Sequence, residues 1–386
     1  MAADEWEDLR TKVRCTLAPI KEVDANTQAE KDFLFKAEET VEGRQLPPYQ
    51  IVHFLFCDLL GFRNLGRFEK IAWSVPIDFD GRAFLIEHRK FGLGLFARDK
   101  DTDKDDARQI VKKIRKASKV ARPYFDFIAS RAVAASEISV MNRSNELFER
   151  FTFFVELYRG ERGEAESRKD ETIKTVNGNS TLIQFPHKQL ERNAKWLAIS
   201  AIDAFYSWTE HLFVHIAIVL RGIDSGEAIA ELTGVEWGDK FKTSIGIDQP
   251  VAKKYYDELV IVRRQLRNFL AHGAFGKNGQ AFNFHSSAGA VPVLMPHDKS
   301  KSRFALDDNL AFEEDAVIEL LEKFVDFLWK GETETAMHYV QESYLPSILT
   351  LAKDGTYAKA TNSLEEMNEM IDHLSGQFDR AANMDW

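Results

Sequence analysis

The stretch Asp248–Gly273, DQPVAKKYYDELVIVRRQLRNFLAHG, decides how the second half of the chain is read. Asp248 is placed to cap a helix that starts at Pro250, where a missing N–H costs nothing. Tyr255, Leu259, Val262, Leu266 and Phe269 follow at spacings of four, three, four and three, which makes one apolar stripe on a helix. Gly273 then offers a left-handed stop. At about 100° per residue, Arg264 and Ala271 lie opposite that stripe. Arg267 falls about 70° to one side of that centre, and Asn268 and His272 about 30° and 70° to the other. The face turned from the core therefore presents Arg264, Arg267, Asn268 and His272 around a small alanine. An imidazole titrating near neutrality moves protons to and from a ribose hydroxyl or its leaving oxygen. A guanidinium offers a fixed fork of donors to phosphoryl oxygens as charge develops on them. Arg267 and His272 point about 140° apart on an ideal helix, so one helix does not close such a site, whereas two facing copies can.

Working outward, helical periodicity is expected over roughly 187–221, 225–232, 250–272, 311–330, 333–353 and 362–381, with a short hairpin over 281–295. Residues 160–180 are dominated by Glu, Arg, Lys, Gly, Asn and Ser and read as a linker. The N-terminal part reads as mixed helix and strand. Segments 4–18 and 26–39 are polar-faced and expected helical, and Tyr49–Leu60 is apolar after Pro47-Pro48. The strongest strand signal is Lys70–Phe79, running through Asp80-Gly81 into Ala83–Ile86. Asp-Gly between apolar runs favours a two-residue hairpin turn, because both central residues need positive φ. Phe91–Phe96 reads as a third strand, and Pro76 implies an edge or a bulge. From Asp105 the chain turns helical again. Arg108–Arg122 holds seven Lys or Arg and no acid. It is either a solvated face that balances the acidic run Asp101–Asp106 or a strip contacting phosphate backbone.

The chain of 386 residues favours two domains, and 44% hydrophobic content with 12% aromatics is ample for folded cores. A net charge of −10 argues against coating nucleic acid by bulk electrostatics, so any RNA contact must be local. The two cysteines, Cys15 and Cys57, form no CxxC pair, which disfavours a disulfide framework or a cysteine-rich zinc site. The acidic start, Met1–Asp8, lacks the order of a signal peptide, and the longest apolar run, Leu212–Leu220, is short and interrupted by His215. A cytoplasmic protein without membrane attachment is the expectation.

The run Arg267-Asn268-Phe269-Leu270-Ala271-His272-Gly273 resembles the motif of the HEPN family, an arginine followed by a polar residue, with a histidine four to six positions after the arginine. The preceding long helix, Ala198–Leu220, resembles the opening helix of such domains, with Glu210 as its internal acid. The resemblance covers roughly residues 183–386. For that part it implies an all-α HEPN-like bundle (183–386), which together with the residue pattern of the N-terminal mixed helix and β-hairpin domain (1–160) and the linker (161–182) gives an α+β chain. It further implies a metal-independent endoribonuclease without a cofactor, cutting RNA through the 2′-hydroxyl as a homodimer with a composite site. Arg267, Asn268 and His272 would be catalytic, and Arg264 and Glu210 would contact substrate. Toxin or antiviral-defence roles, with a regulatory or antitoxin partner, are common in the family. The N-terminal domain would sense a trigger, recruit substrate or hold a partner. The tyrosine that some toxin members carry two residues after the histidine is Ala274 here, which weakens the expectation of a nucleotidyltransferase partner. Glu210 reads equally as a helix acid paired with a nearby Lys or Arg. The bare arginine-to-histidine spacing arises about once by chance in a chain this long, and Arg82 and His88 fit it too; the adjacent asparagine cuts chance matches to about one chain in a hundred.

Two other readings compete. In the first, the helical domain serves, without catalysis, as an interaction or nucleotide-binding module. Alternatively, His211 and His215, four apart on a helix, would share a metal in a hydrolase; packed and hydrogen-bonded histidines explain them as well. Asp101, Asp103, Asp105 and Asp106 lack the glycine and distal glutamate of a calcium loop, and Gly92-Leu93-Gly94 lacks the rest of a nucleotide loop.

Overall fold

The computed structural model describes residues 5–177, 180–272, 283–287, 289–292 and 314–384; for 176, 177, 180, 265, 267–272, 283, 284 and 290–292 the backbone alone is described. The chain divides into two compact units, 1–135 with 372–386, and 136–371. The first contains an antiparallel sheet with helices, the second is mainly helical, and mixed α+β is the class.

In the first unit the elements run α1 (Glu7–Leu17), β1 (Lys21–Glu22), α2 (Phe33–Lys36), β2 (Glu38–Glu39), α3 (Tyr49–His53), β3 (Ile71–Phe79), β4 (Arg82–Arg89), β5 (Gly92–Ala97), α4 (Lys104–Val120) and α5 (Arg122–Ala134). The sheet order is β1-β3-β4-β5-β2. Asp80 and Gly81 have φ of 50° and 81°, and Phe79 pairs with Arg82 across the turn, so the expected tight hairpin forms. β1 pairs with β3 only at Ile77 and Asp78, and the β3–β4 register shifts between Ile71 and Trp73. Pro76 therefore lies where β3 has run out of a partner on one side, as an edge position requires. Trp73, Val75, Ile77 and Phe79 turn toward Val52, Leu55 and Phe56 and toward Ile110, Ile114 and Ala117 of α4 in one buried cluster. Segment 26–39 is not the expected helix. The Asp24 carboxylate accepts from Asn26 N–H, and Thr27 Oγ1 accepts from Asp24 N–H and donates to Asp78, so local side-chain bonds win over helical ones.

In the second unit follow β6 (Ser139–Val140), α6 (Ser144–Ser167), β7 (Ile173–Asn177), β8 (Ser180–Gln184), α7 (Pro186–Val219), α8 (Gly226–Gly234), α9 (Trp237–Ser244), α10 (Pro250–His272), β9 (Asn283–Ser286), β10 (Gly289–Pro292), α11 (Glu314–Leu328), α12 (Glu334–Met337), β11 (Ser347–Ile348), α13 (Leu349–Lys353), α14 (Thr356–Ala360) and α15 (Leu364–Asn383), whose residues from Asp372 on belong with the first unit. α7 is the axis of this unit. Its 34 residues run about 51 Å, and its second half is buried nearly all round. It packs along α6 and is flanked by α9, α10 and α11. Phe205, Phe213, Trp237, Phe241 and Phe324 interlock, edge to face or tilted except for the stacked pair Phe241–Phe324, filling the space between these helices.

The boundary differs from the one expected at 160. It falls at 135/136, and α6 belongs with α7. The expected linker 161–182 is the end of α6 followed by the β7–β8 hairpin. Arg168 with Glu164 and Lys169 with Glu166 are one-turn ion pairs, so a helix end rich in charge resembles a loop in composition. Segment 333–353 is likewise broken rather than one helix. Pro346 disfavours helical backbone at Leu345, Tyr344 sits at φ 60°, and the chain enters β11, which pairs with β6. The hairpin expected over 281–295 is present as β9 and β10.

Candidate functional site

α10 is an unbroken helix to His272. Its apolar stripe faces inward as the spacing requires: Leu259, Val262 and Leu266 are buried, and Tyr255 is half-buried, donating to the Lys323 carbonyl of α11. Arg264 is exposed and makes no hydrogen bond or ion pair with the described residues. Arg267, Asn268 and His272 lie on the last turns of this helix, and Arg267 and His272 are separated by a rise of about 7.5 Å. Their side chains, like those of Phe269 and Ala271, lie outside the described residues, as do Gly273 and Ala274 altogether.

One turn before Arg267 the helix is clamped to its neighbours by charge. Glu210 of α7 accepts from Lys240 Nζ of α9 at 2.7 Å, and Arg263 Nη2 of α10 stands 3.5 Å from its other oxygen. Lys240 is only 4% exposed, so this pairing is what permits its burial. The Arg263 guanidinium lies over the rings of Tyr206 and Trp237, and its Nη1 is buried without a hydrogen-bond partner among the described residues. Tyr206 donates to the Leu259 carbonyl and Trp237 Nε1 to Thr209, which holds both rings in place. Glu210 thus joins three helices as an acid between two cations, the pairing left open as its alternative role. Arg263 and Lys240 were missed in the sequence. Arg263, four after Leu259 and three before Leu266, borders the apolar stripe, and a cation there has to find a buried partner.

His211 and His215 are bound into the interior. Arg143 N–H donates to His211 Nε2, which lies 3.0 Å from His215 Nε2, and the Ser347 hydroxyl is 2.8 Å from His215 Nδ1. One consistent assignment has His215 Nε2 donating to His211 and Ser347 donating to His215. Burial first, then the neighbouring His211, lowers the His215 pKa to about 3; burial and Arg143 lower that of His211. Both rings are therefore neutral near pH 7 and tie α7 to the β6–β11 segments. Among the described residues no group of three or more His, Cys, Asp or Glu is arranged to hold a metal ion.

The other sequence candidates are engaged elsewhere. Arg82 is ion-paired with Asp103 and Asp106, and His88 stacks on Tyr49 with ring centres 4.1 Å apart. The Cys57 thiol is pushed up to about 11 by burial, so it is unreactive as a nucleophile near neutrality. An open groove of about 580 Å³ lies along the first turns of α10 and α11, lined by Val251, Lys254, Tyr255, Glu258, Leu320 and Lys323, far along the helix from His272. No helix among the described residues is long and apolar enough to cross a membrane. No family model, curated protein or solved structure matches the chain.

Proposed function

We propose that the chain is a metal-independent endoribonuclease whose active centre forms at the end of α10, in a HEPN-like helical unit. The observation that carries the proposal is the single continuous helix that bears Arg264, Arg267, Asn268 and His272 over its last turns, while Leu259, Val262, Leu266 and the Glu210 cluster hold its inner face. In the proposed reaction the 2′-oxygen loses its proton and attacks the adjacent phosphorus, and the bond to the 5′-oxygen breaks. A 2′,3′-cyclic phosphate and a 5′-hydroxyl result. His272 moves the proton, Arg267 binds the phosphoryl oxygens as charge builds on them, Asn268 orients imidazole or substrate, and Arg264 contacts a flanking phosphate. Two copies facing each other complete the pocket. A role in toxicity or antiviral defence, with a regulatory partner, follows from the family resemblance, as does a cytoplasmic setting.

The test is incubation of the purified chain with tRNA and total RNA in EDTA, with analysis of the new 3′ ends. Cleavage with cyclic-phosphate ends by wild type, lost in His272→Ala, supports the enzyme. Binding of RNA or nucleotide without cleavage would leave the non-catalytic module as the function.

A further inference from the structure

We propose that α4 is a nucleic-acid contact surface that grips RNA along its phosphate backbone. Lys112, Arg115, Lys116 and Lys119 are all exposed and follow one another at i, i+3, i+4 and i+7, a single face of the helix. The opposite face, Ala107, Ile110, Val111, Ile114 and Ala117, is buried against the sheet, so the helix cannot turn these cations elsewhere. None of the four makes a hydrogen bond or ion pair with the described residues.

Most acids of the run Asp99–Asp106 are committed elsewhere, and Asp101, exposed in the turn before α4, lies eleven positions before Lys112. Asp103 and Asp106 hold Arg82, Asp105 holds Arg108, and Asp99 caps the following turn by accepting from the N–H groups of Asp101 and Thr102. The other cations of the run are committed too: Lys113 donates to the Ala18 carbonyl, and Arg122 pairs with Asp126. What remains is a stripe of four cations, unpaired among the described residues and about 10 Å long, on a chain of net charge −10. Four like charges on one exposed face make a local positive patch that attracts an external anion.

The spacing selects a repeating one. The Cβ atoms of neighbouring members stand roughly 5–6 Å apart and the four follow one another along about 10 Å of an open convex helix, an arrangement too long to close on one phosphate. A nucleic-acid backbone offers a charge at every nucleotide and can meet all four. A lipid surface fits less well, since every sizeable apolar residue of α4 faces inward and stable attachment needs an apolar anchor beside a basic patch. The inference rests on the proposed ribonuclease only in choosing RNA as the polyanion.

Full-length His272→Ala protein and the same protein carrying Lys112→Gln, Arg115→Gln, Lys116→Gln and Lys119→Gln would be titrated onto a fluorescent single-stranded RNA between 50 and 300 mM KCl. Each phosphate neutralised contributes about −0.7 to the slope of log K against log salt, so the quadruple variant should lose about 2.8 from that slope. Lys353→Gln with Lys359→Gln, removing two cations elsewhere, should leave it unchanged. Circular dichroism checks that the fold is kept. The proposal is overturned if His272→Ala protein does not bind RNA, if the quadruple variant keeps the original slope, or if the stripe is needed for binding phosphatidylserine vesicles and not RNA. Because binding is read without cleavage, a failed nuclease assay and a failed binding assay remain separate results.

Discussion

His215 sits among Ser347, His211 and the apolar wall of α7, and its depressed pKa couples folding to pH. Unfolded, the imidazole takes up a proton near 6.5; folded, not until about 3. Its contribution is therefore complete above 6.5 and is lost as pH falls toward 3, by at most about 1.4 kcal/mol per pH unit. Between pH 6.5 and 5 the loss is about 2 kcal/mol. Urea unfolding at pH 7, 6 and 5 should show this slope in wild type and a shallower one in His215→Gln; equal slopes would assign the acid sensitivity to another group. Glu210 allows a different separation. Glu210→Gln removes the charge that balances Lys240, and since Glu210 is about a third exposed the cost should be only about 1–2 kcal/mol. A large drop in RNA cleavage with unchanged stability would contradict the clamping role and return Glu210 to the chemistry. By contrast, Arg267→Ala should leave stability within about 0.5 kcal/mol while lowering cleavage at least about 100-fold, as loss of a group that binds the developing charge does.

At the level of elements, the turn between β3 and β4 depends on backbone that only a few residues adopt readily. Gly81→Ala should cost about 1 kcal/mol in thermal or chemical unfolding, because φ of 81° then carries a Cβ. A variant as stable as wild type would mean that this hairpin is held by its strands alone. That turn was readable from Asp80-Gly81 between apolar runs, and α10 from its stripe, since both signals are local and periodic. The β7–β8 hairpin had a comparable mark in the sequence, Gly178-Asn179 in a run of Ile, Thr and Val, but its exposed Ile173, Leu182 and Ile183 lack the alternation of a half-buried strand. The end of α6 escaped because its stability comes from ion pairs and from α7, not from an apolar stripe of its own. The Glu210–Lys240–Arg263 cluster joins residues 30 and more positions apart, and nothing local in the sequence announces which acid meets which cation. Arg264 was legible as an outer cation for the opposite reason: its place opposite the apolar stripe follows from local spacing alone.

For the whole molecule, the proposed composite centre makes a mixing experiment informative. Arg267→Ala and His272→Ala proteins, each inactive alone, should regain part of the cleavage activity when unfolded together and refolded as mixed dimers, with EDTA present throughout. No recovery, with dimers seen by ultracentrifugation, would mean that each copy carries its own complete site. Residues 372–386 complete the unit begun by residues 1–135, and within it the Lys70 and Lys90 ammonium groups both donate to Asn383. During synthesis this has a cost in time. At translation speeds of about 5–20 residues per second, roughly 12–50 s pass between the emergence of residue 135 and that of residue 372. Throughout that interval the nascent sheet stands on the ribosome without its closing helix, an unfinished domain while a second one is already being built behind it.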